Sequence, residues 1–505
     1  MQSSRISSRR ILALISASLA VIFVFLSCHQ QPETSTANVA STAPGAVTCA
    51  AAANPTSDGG GGPTSVAAVP VPVPTAIDST CAQIPYTLGS AKFLNTEGQL
   101  KADIYSWLTF VSLNWPVNPA TCTPDTNISI LKHPNNPTWL TYLNDDSVYT
   151  SGDPAAWCQS GLPRTATNAK PALFAEHPKL TGAAAKLAQE HPEVTLVLMH
   201  NSKGHEMIST VNMLGAKSPD KLKPILQSTE LPLVDQNGRF VRYSISMNKE
   251  EYDYVVQQKL YTASGQKATP DIAFPSSSEP TPVGPTQLGA MEIKAAWKVL
   301  NPAEKASGRY FMQQAIVYND ASGNTLAPGE NPVTVGLVGL HIAHKVGGQP
   351  QWVWSTFEQI DNNTSSFFNP NCKPTIGNHN CELNTPTANA TSSELGPTGA
   401  PLNAPAQVTE LIPRTNPGTD AQFQALLAGT PWQFFRLDGT QWSNGAIGSS
   451  PRQIGNSVQE TFVTLDGKRG PYSCIACHGF ATAEPGGQRS DQSFLVTAVP
   501  PNDKK

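Results

Sequence analysis

Charged residues are scarce in this chain. Lys, Arg, Asp and Glu make up 14% of the 505 residues, and the formal net charge is −4. A typical soluble chain has about a quarter of such residues. Because no basic excess is present to attract phosphates, we expect no nucleic-acid partner. Turn-forming residues are abundant instead, and the 44 Pro and 37 Gly predict many turns and long irregular connections.

Long apolar runs, nucleotide fingerprints and repeats are also missing. The apolar run from Ile11 to Leu26 is shorter than the roughly 20 residues that span a bilayer comfortably. The Gly-rich fingerprint of a flavin or nicotinamide domain is absent. No fixed repeat period is present, which argues against a propeller or solenoid. The chain is long enough for one large core or two smaller ones.

The N-terminus has the pattern of a signal peptide. Three arginines and no acid within the first ten residues precede the apolar run. The run ends in Ser27 and Cys28, which resembles a bacterial lipobox whose Cys becomes lipid-modified. We therefore predict residues 1–28 to be a signal peptide and Cys28 to carry a membrane anchor. The alternative is ordinary cleavage near Ala20 or Ser27, which gives a secreted chain without an anchor.

The pentapeptide Cys474-Ile475-Ala476-Cys477-His478 has the spacing of a haem c attachment site. In such a site two thiols form thioethers with the haem vinyl groups, and the adjacent imidazole becomes an axial ligand of the iron. A thioredoxin-like dithiol or half of a zinc site is the alternative. We predict one covalent haem c, with Cys474 and Cys477 as attachment residues and His478 as the proximal ligand.

No Met or His is among the 27 residues after His478, so a second axial ligand must come from upstream. We rank His341 and His344 first, because they end a strand that is apolar on both faces, beside the run that contains Trp352 and Trp354. The alternative for each histidine is a core residue bonded to backbone. Weaker candidates are Met199, His200, His205, Met207, Met213, Met291 and Met312. Candidate contacts to the haem propionates are Lys345, Arg436 and Arg469, each with a solvated surface position as the alternative.

Six further cysteines form an even set, which suits an oxidising compartment. Their connectivity stays open, because six cysteines allow fifteen connectivities. The simplest arrangement joins sequence neighbours, in the pairs Cys49–Cys81, Cys122–Cys158 and Cys372–Cys381.

Composition divides the chain into five segments. After the signal peptide, residues 29–78 are a low-complexity tether that cannot bury enough apolar surface to fold. Residues 79–361 form the main domain, and 362–405 are a long irregular loop. Residues 406–505 form a C-terminal haem-binding segment packed on the main domain.

Helical spacing predicts four helices. One ends before Pro116, a second opens at a capping box of Asn248 and Glu251 and runs to Tyr261, a third ends at Pro302, and a fourth ends at Gly429. Strand-like runs cover 194–200, 239–247, 310–318, 333–344 and 351–358. The fold class is therefore α+β, a mixed domain with a substantial antiparallel sheet, peripheral helices and the haem-binding segment at the C-terminus.

Five stretches resemble a group of large exported bacterial proteins described as cytochrome c family proteins. They are ADIYSWLTFVSLNWP, MEIKAAWKVL, GLVGLHIAHK, QWVWSTFEQIDN and NSVQETFVTLDGKRGPYSCIACHGFA. The similarity covers about residues 95 to 485. The resemblance implies covalent haem c and electron transfer without an established substrate. It gives Cys474 and Cys477 the thioether positions and His478 the proximal position, and it assigns no distal ligand.

These observations favour an electron-transfer protein of the cell envelope. Haem c is attached after export, so the motif and the signal peptide agree. We expect a periplasmic or outer-envelope, lipid-anchored monohaem cytochrome whose partners are redox proteins. The first alternative is a haem oxidoreductase with an open distal iron position, and the second is a binding or assembly protein that contains haem.

Overall fold

A nine-stranded sheet forms the centre of the described structure. In the computed structural model, the described residues are 47–53, 73–88, 96–149, 241–278, 287–317, 331–364, 417–443 and 474–479, with shorter pieces between them and up to residue 497. The helices are α1 Cys49–Ala53, α2 Thr96–Leu113, α3 Asp145–Val148, α4 Lys249–Gln257, α5 Ala263–Ala268, α6 Pro302–Ala306, α7 Pro417–Leu426 and α8 Cys474–His478. The strands are β1 Val117–Asn118, β2 Thr123–Pro124, β3 Leu143–Asn144, β4 Leu196–Leu198, β5 Arg242–Met247, β6 Met291–Val299, β7 Met312–Val317, β8 Val333–His344, β9 Val353–Gln359, β10 Gln407–Val408, β11 Phe435–Ser443, β12 Ser449–Ser450 and β13 Phe462–Val463.

Seven strands follow one path across the sheet, in the order β12-β11-β9-β8-β6-β5-β3, with each pair antiparallel. β7 pairs antiparallel with the first part of β8, and β4 adds to β7 in parallel. The expected α+β class with a substantial antiparallel sheet is confirmed. β8 lies in the middle and is buried along almost its whole length, as its apolar residues on both faces predict.

The predicted helix before Pro302 is wrong, because these residues form strand β6. Ile293, Trp297 and Leu300 have helical spacing by coincidence, and Met291, Ile293 and Trp297 share one buried face of the strand. β6 lies between β5 and β8, so both of its edges are hydrogen-bonded. Tertiary pairing has here overridden the local helical preference of a run rich in Ala, Glu and Lys.

Helix α2 covers one face of the sheet. Its residues from Ala102 to Leu113 are all buried, because the sheet lies on one side and α1 and α7 lie on the other. The Trp107 ring stacks on Phe423 of α7 at 5.1 Å and meets Phe357 of β9 edge-on at 5.1 Å. This layer is the larger apolar core of the described residues.

A second apolar layer covers the opposite face of the sheet. It joins α3, α4 and the C-terminal residues to the side chains of Met247, Ala343 and Trp354. Ile475 of α8 belongs to this layer and is 8% exposed. The sheet therefore separates α2 from the haem motif.

The C-terminal segment contributes to the sheet as well as packing on it. β11 pairs along β9 with a register shift between Leu437 and Gly439, and β12 forms the described edge beyond it. The sequence analysis did not predict β11, whose nine residues include Asp438, Gly439 and Gln441. All nine are buried, so position in the sheet determines this strand more than composition does.

Two of the expected disulfides are present, and they fix segments near the N-terminus. Cys49 is joined to Cys81 and Cys122 to Cys158. α1 and residues 73–78, which fall within the predicted tether, pack on the larger core, so the folded part begins earlier than residue 79. The signal peptide with Cys28, most of the loop 362–405, and Cys372 and Cys381 lie outside the described residues.

Candidate functional site

Helix α8 is one and a half turns long and contains the haem motif. The amide of Ile475 donates to Oε1 of Gln441 on β11 at 3.1 Å, which anchors the helix to the sheet. The helix ends in hydrogen bonds from Gly479 to Ile475 and from Ala481 to His478. Residues four apart on a helix share a face, so Cys474 and His478 lie on the same side of α8.

The imidazole of His478 is oriented by its second nitrogen. Nδ1 lies 2.8 Å from the backbone oxygen of Gln492. A carbonyl can only accept, so Nδ1 donates to this oxygen, and in the neutral ring Nε2 keeps its lone pair. The ring centroid lies 4.1 Å from that of Trp354 and 4.7 Å from that of Phe494, so aromatic side chains shield the imidazole.

Helix α8 also contains the two cysteines of the motif. Cys474 is half-buried against the second apolar layer. Cys477 lies three residues later in the same helix. A rise of about 1.5 Å per residue separates the two positions by roughly 4.5 Å along the helix axis. The alternative of a dithiol at a strand-to-helix junction stays open, because the residues before α8 lie outside the described part.

A row of cross-strand neighbours lies beneath α8. Leu143, Met247, Glu292, Ala343, Trp354 and Gln441 face one another in register across β3, β5, β6, β8, β9 and β11. Directly opposite residues point to the same face of a sheet. Trp354 packs on His478, and Gln441 caps α8. The sheet thus positions the haem motif through long-range pairing.

The two candidate distal histidines lie on opposite faces of the sheet, because they are three residues apart on β8. His344 is 1% exposed and faces α2, where Nδ1 accepts from the Tyr105 hydroxyl and Nε2 donates to the Leu288 carbonyl. Burial lowers its pKa to about 4, so the ring is neutral at pH 7. This arrangement favours the alternative of a backbone-bonded core residue for His344.

His341 lies on the other face, which also carries α8. Its cross-strand partner on β9 is Thr356, two residues from Trp354. His341 is half-buried. Of the two predicted histidines, it is therefore the one on the side of the haem motif. The prediction of a distal ligand on β8 stays a prediction, and His341 is the better candidate of the two histidines.

Two of the weaker ligand candidates, Met291 and Met312, lie within the described residues. Met291 is fully buried in the layer of α2, on the far face of the sheet. Met312 is 39% exposed. The remaining candidates, Met199, His200, His205, Met207 and Met213, lie outside the described residues.

Two of the three charged residues proposed for haem propionates, Lys345 and Arg436, have protein partners. Lys345 makes an ion pair with Asp491, and Asp491 also accepts from the Phe274 amide at 2.8 Å. Arg436 is 3% exposed and pairs with Glu358, so the alternative of a solvated surface position is wrong for this residue. Arg469 lies outside the described residues.

One other group of side chains of the types that bind metals does not support a metal site. Cys49, Asp78 and Cys81 lie together, but the two sulfurs form a disulfide. Asp78 Oδ1 accepts from the Thr80 amide at 2.9 Å and caps a turn of 3₁₀ helix. The group therefore stabilises the N-terminal part of the fold.

A buried group of acids on the face that carries α8 could not be predicted from the sequence. Glu251 is fully buried, Asp145 is 3% exposed and Glu292 is 9% exposed. Glu251 was assigned to a capping box, and Asp145 and Glu292 carried no local signal at all. Their proximity depends on the register of β3, β5 and β6.

No protein-family model, curated protein or solved structure matches this chain. Among the described residues, no helix combines the length and apolar character that crossing a bilayer requires.

Proposed function

We propose that this protein is an exported c-type cytochrome that carries one covalent haem and transfers electrons between redox proteins of the bacterial cell envelope. The observation that carries the proposal is the geometry of α8. The motif residues Cys474 and His478 share a helix face, and the Nδ1 proton of His478 is held by the Gln492 carbonyl at 2.8 Å. A ligand histidine needs this second hydrogen bond to fix its tautomer and orientation.

The residues fit the group that the motif implies. Cys474 and Cys477 would form the thioethers, and Nε2 of His478 would bind the iron. Haem supplies a one-electron Fe(III)/Fe(II) couple when it is bound. Trp354 and Phe494 pack against the imidazole, and the Gln492 carbonyl makes the imidazole a stronger donor.

Export is supported by the cysteines that do not belong to the motif. The two disulfides lie in segments that precede the main strands of the sheet. Such bonds persist in oxidising compartments and are rare in the cytosol. We propose a periplasmic or outer-envelope location, with the chain attached to the membrane through Cys28.

An absorption spectrum of the reduced protein, with and without carbon monoxide, tests this function. A six-coordinate, low-spin spectrum that does not change with the gas is expected for electron transfer. A high-spin iron that binds the gas would support the oxidoreductase alternative. A haem that no electron donor reduces would favour the binding or assembly role.

Replacing His341 by Ala is expected to convert a gas-insensitive spectrum into a gas-binding one, because this histidine lies on the face that carries α8. His344→Gln is the matched control on the same strand, and its spectrum should not change. Gas binding in His344→Gln with none in His341→Ala would contradict this assignment.

A further inference from the structure

Glu292 belongs to the same row of the sheet as the residue that packs on His478. It lies on β6 between Met247 and Ala343, and Trp354 follows one strand further on. Two strand spacings separate Glu292 from Trp354, or about 10 Å. An acid in this position is close enough for its charge to interact with a charge at the haem motif.

The start of α4 brings Glu251 to the beginning of β6. The Asn248 side chain accepts from the amides of Glu251 at 3.1 Å and of Met291 at 2.9 Å. The Asn248 amide donates to the Met291 carbonyl at 2.9 Å. The expected capping box is therefore half formed, because that amide is not available to the Glu251 carboxyl. Both carboxyl oxygens of Glu251 are buried and accept no hydrogen bond from the described residues.

Asp145 forms a carboxyl cluster with Glu251 and Glu292. Tyr149 adds a hydroxyl to this group. Asp145 is the first residue of α3, directly after β3. The Tyr149 hydroxyl is buried and has no hydrogen-bond partner among the described residues. Burial raises the pKa of Tyr149, and the charges of all three acids raise it further.

The acids of this cluster cannot all be charged. Burial raises the pKa of Glu251 well above its usual range, and the carboxyl of Glu292 raises it further. Burial also raises the pKa of Glu292, although a hydrogen bond from the Ser493 hydroxyl opposes the change. The charge of Asp491 raises the pKa of both glutamates further, while its own partner is Lys345. A buried carboxylate without a cation takes up a proton.

A metal ion is a poorer explanation than a proton. One ion needs at least three ligand atoms that converge around it, with oxygens at about 2.3–2.6 Å for calcium. Among the described residues the three acids of the cluster do not converge in this way. A proton needs only two facing carboxyls, as in pairs that share one proton.

We propose that Glu251 and Glu292 form a proton-binding pair that is coupled to the redox state of the haem motif. This coupling rests on the proposed function. An electron that arrives at the His478 end of the row draws at most one proton from water onto the pair. Its departure to the next redox protein releases that proton. At an effective dielectric constant of about 20 and a separation on the order of 10–15 Å, the proton affinity changes about tenfold.

The midpoint potential of the full-length haem protein, measured as a function of pH, tests the coupling. It should fall as pH rises, by a total of about 59 mV, which is the tenfold change converted for one electron. Glu292→Gln and Glu251→Gln should each remove this dependence. Asp253→Asn is the control, because Asp253 lies on α4 but is exposed and paired with Lys249. An unchanged pH dependence in both Gln variants would overturn the proposal.

A second measurement does not need haem. A carboxyl whose pKa is raised by folding contributes stability that is complete below its unfolded pKa of about 4.3 and is lost as pH rises through the folded value. The free energy of unfolding should therefore fall with pH above about 4.3, and less steeply in Glu292→Gln. A chain that lacks haem but shows this difference would refute the proposed function and leave the pair intact.

Two further outcomes count against the proton pair. Equal slopes in the wild-type protein and both Gln variants would show that neither carboxyl binds an extra proton on folding. A stoichiometric divalent cation that elemental analysis finds in the wild-type protein and not in Glu292→Gln would replace the proton by a metal. Because each variant replaces a buried acid with a neutral side chain of the same shape, either one can serve if the other does not fold.

Discussion

Replacing Cys474 and Cys477 together by Ala is expected to reduce covalent haem from one per chain to none. Both thioethers depend on these sulfurs, and haem held only through His478 is lost when the chain is denatured. Each single variant keeps one sulfur and should retain less haem than the wild-type protein. Haem staining of a denaturing gel and the mass of the intact chain measure the outcome, after expression in a bacterium that attaches haem c to exported proteins.

The double variant Cys122→Ala, Cys158→Ala provides the control for this experiment. It also removes two cysteines, but they form a disulfide outside the haem motif. We expect it to carry as much haem as the wild-type protein and to unfold more easily by about 2–4 kcal/mol. Full haem content in the Cys474, Cys477 double variant would refute the attachment site.

Local patterns predicted the parts of the fold that depend on neighbouring residues. Helix α2 has its apolar residues at helical spacing, and Pro116 follows its end. β8 has exactly the predicted bounds, because its apolar run is long enough to be buried on both faces. The haem motif is also local, because it consists of five consecutive residues, and the haem attachment that it predicts stays a prediction.

Long-range pairing determines what the sequence could not predict. β6 has a helical pattern and becomes a strand because β5 and β8 pair with its two edges. Whether His341 or His344 faces α8 depends on the register of β8, which a one-residue shift would reverse. Glu251 and Glu292 are 41 residues apart in sequence. The register of β5 on β6 and the bonds of Asn248 to Met291 bring them together.

The pair of Arg436 and Glu358 shows the same dependence on register. They are cross-strand partners on β11 and β9, on the face that carries Trp354. The guanidinium Nε donates to Glu358 Oε1 at 3.0 Å, and the side chains of the pair are 3% and 1% exposed. Asp438 lies 3.6 Å from the same guanidinium. Burial raises the pKa of Asp438, and the charge of Glu358 raises it further.

Arg436→Met is therefore expected to destabilise the protein by about 3–5 kcal/mol, because it leaves Glu358 buried without a cation. Glu358→Gln in the same chain should recover much of that loss, since it removes the charge that has lost its partner. Arg309→Met is the matched control: its ion pair with Asp361 is about one-third exposed, and its loss should cost about 1 kcal/mol or less. Chemical denaturation of the four proteins measures these differences. An Arg436→Met variant as stable as Arg309→Met would mean that water reaches Glu358, which contradicts the burial of this pair.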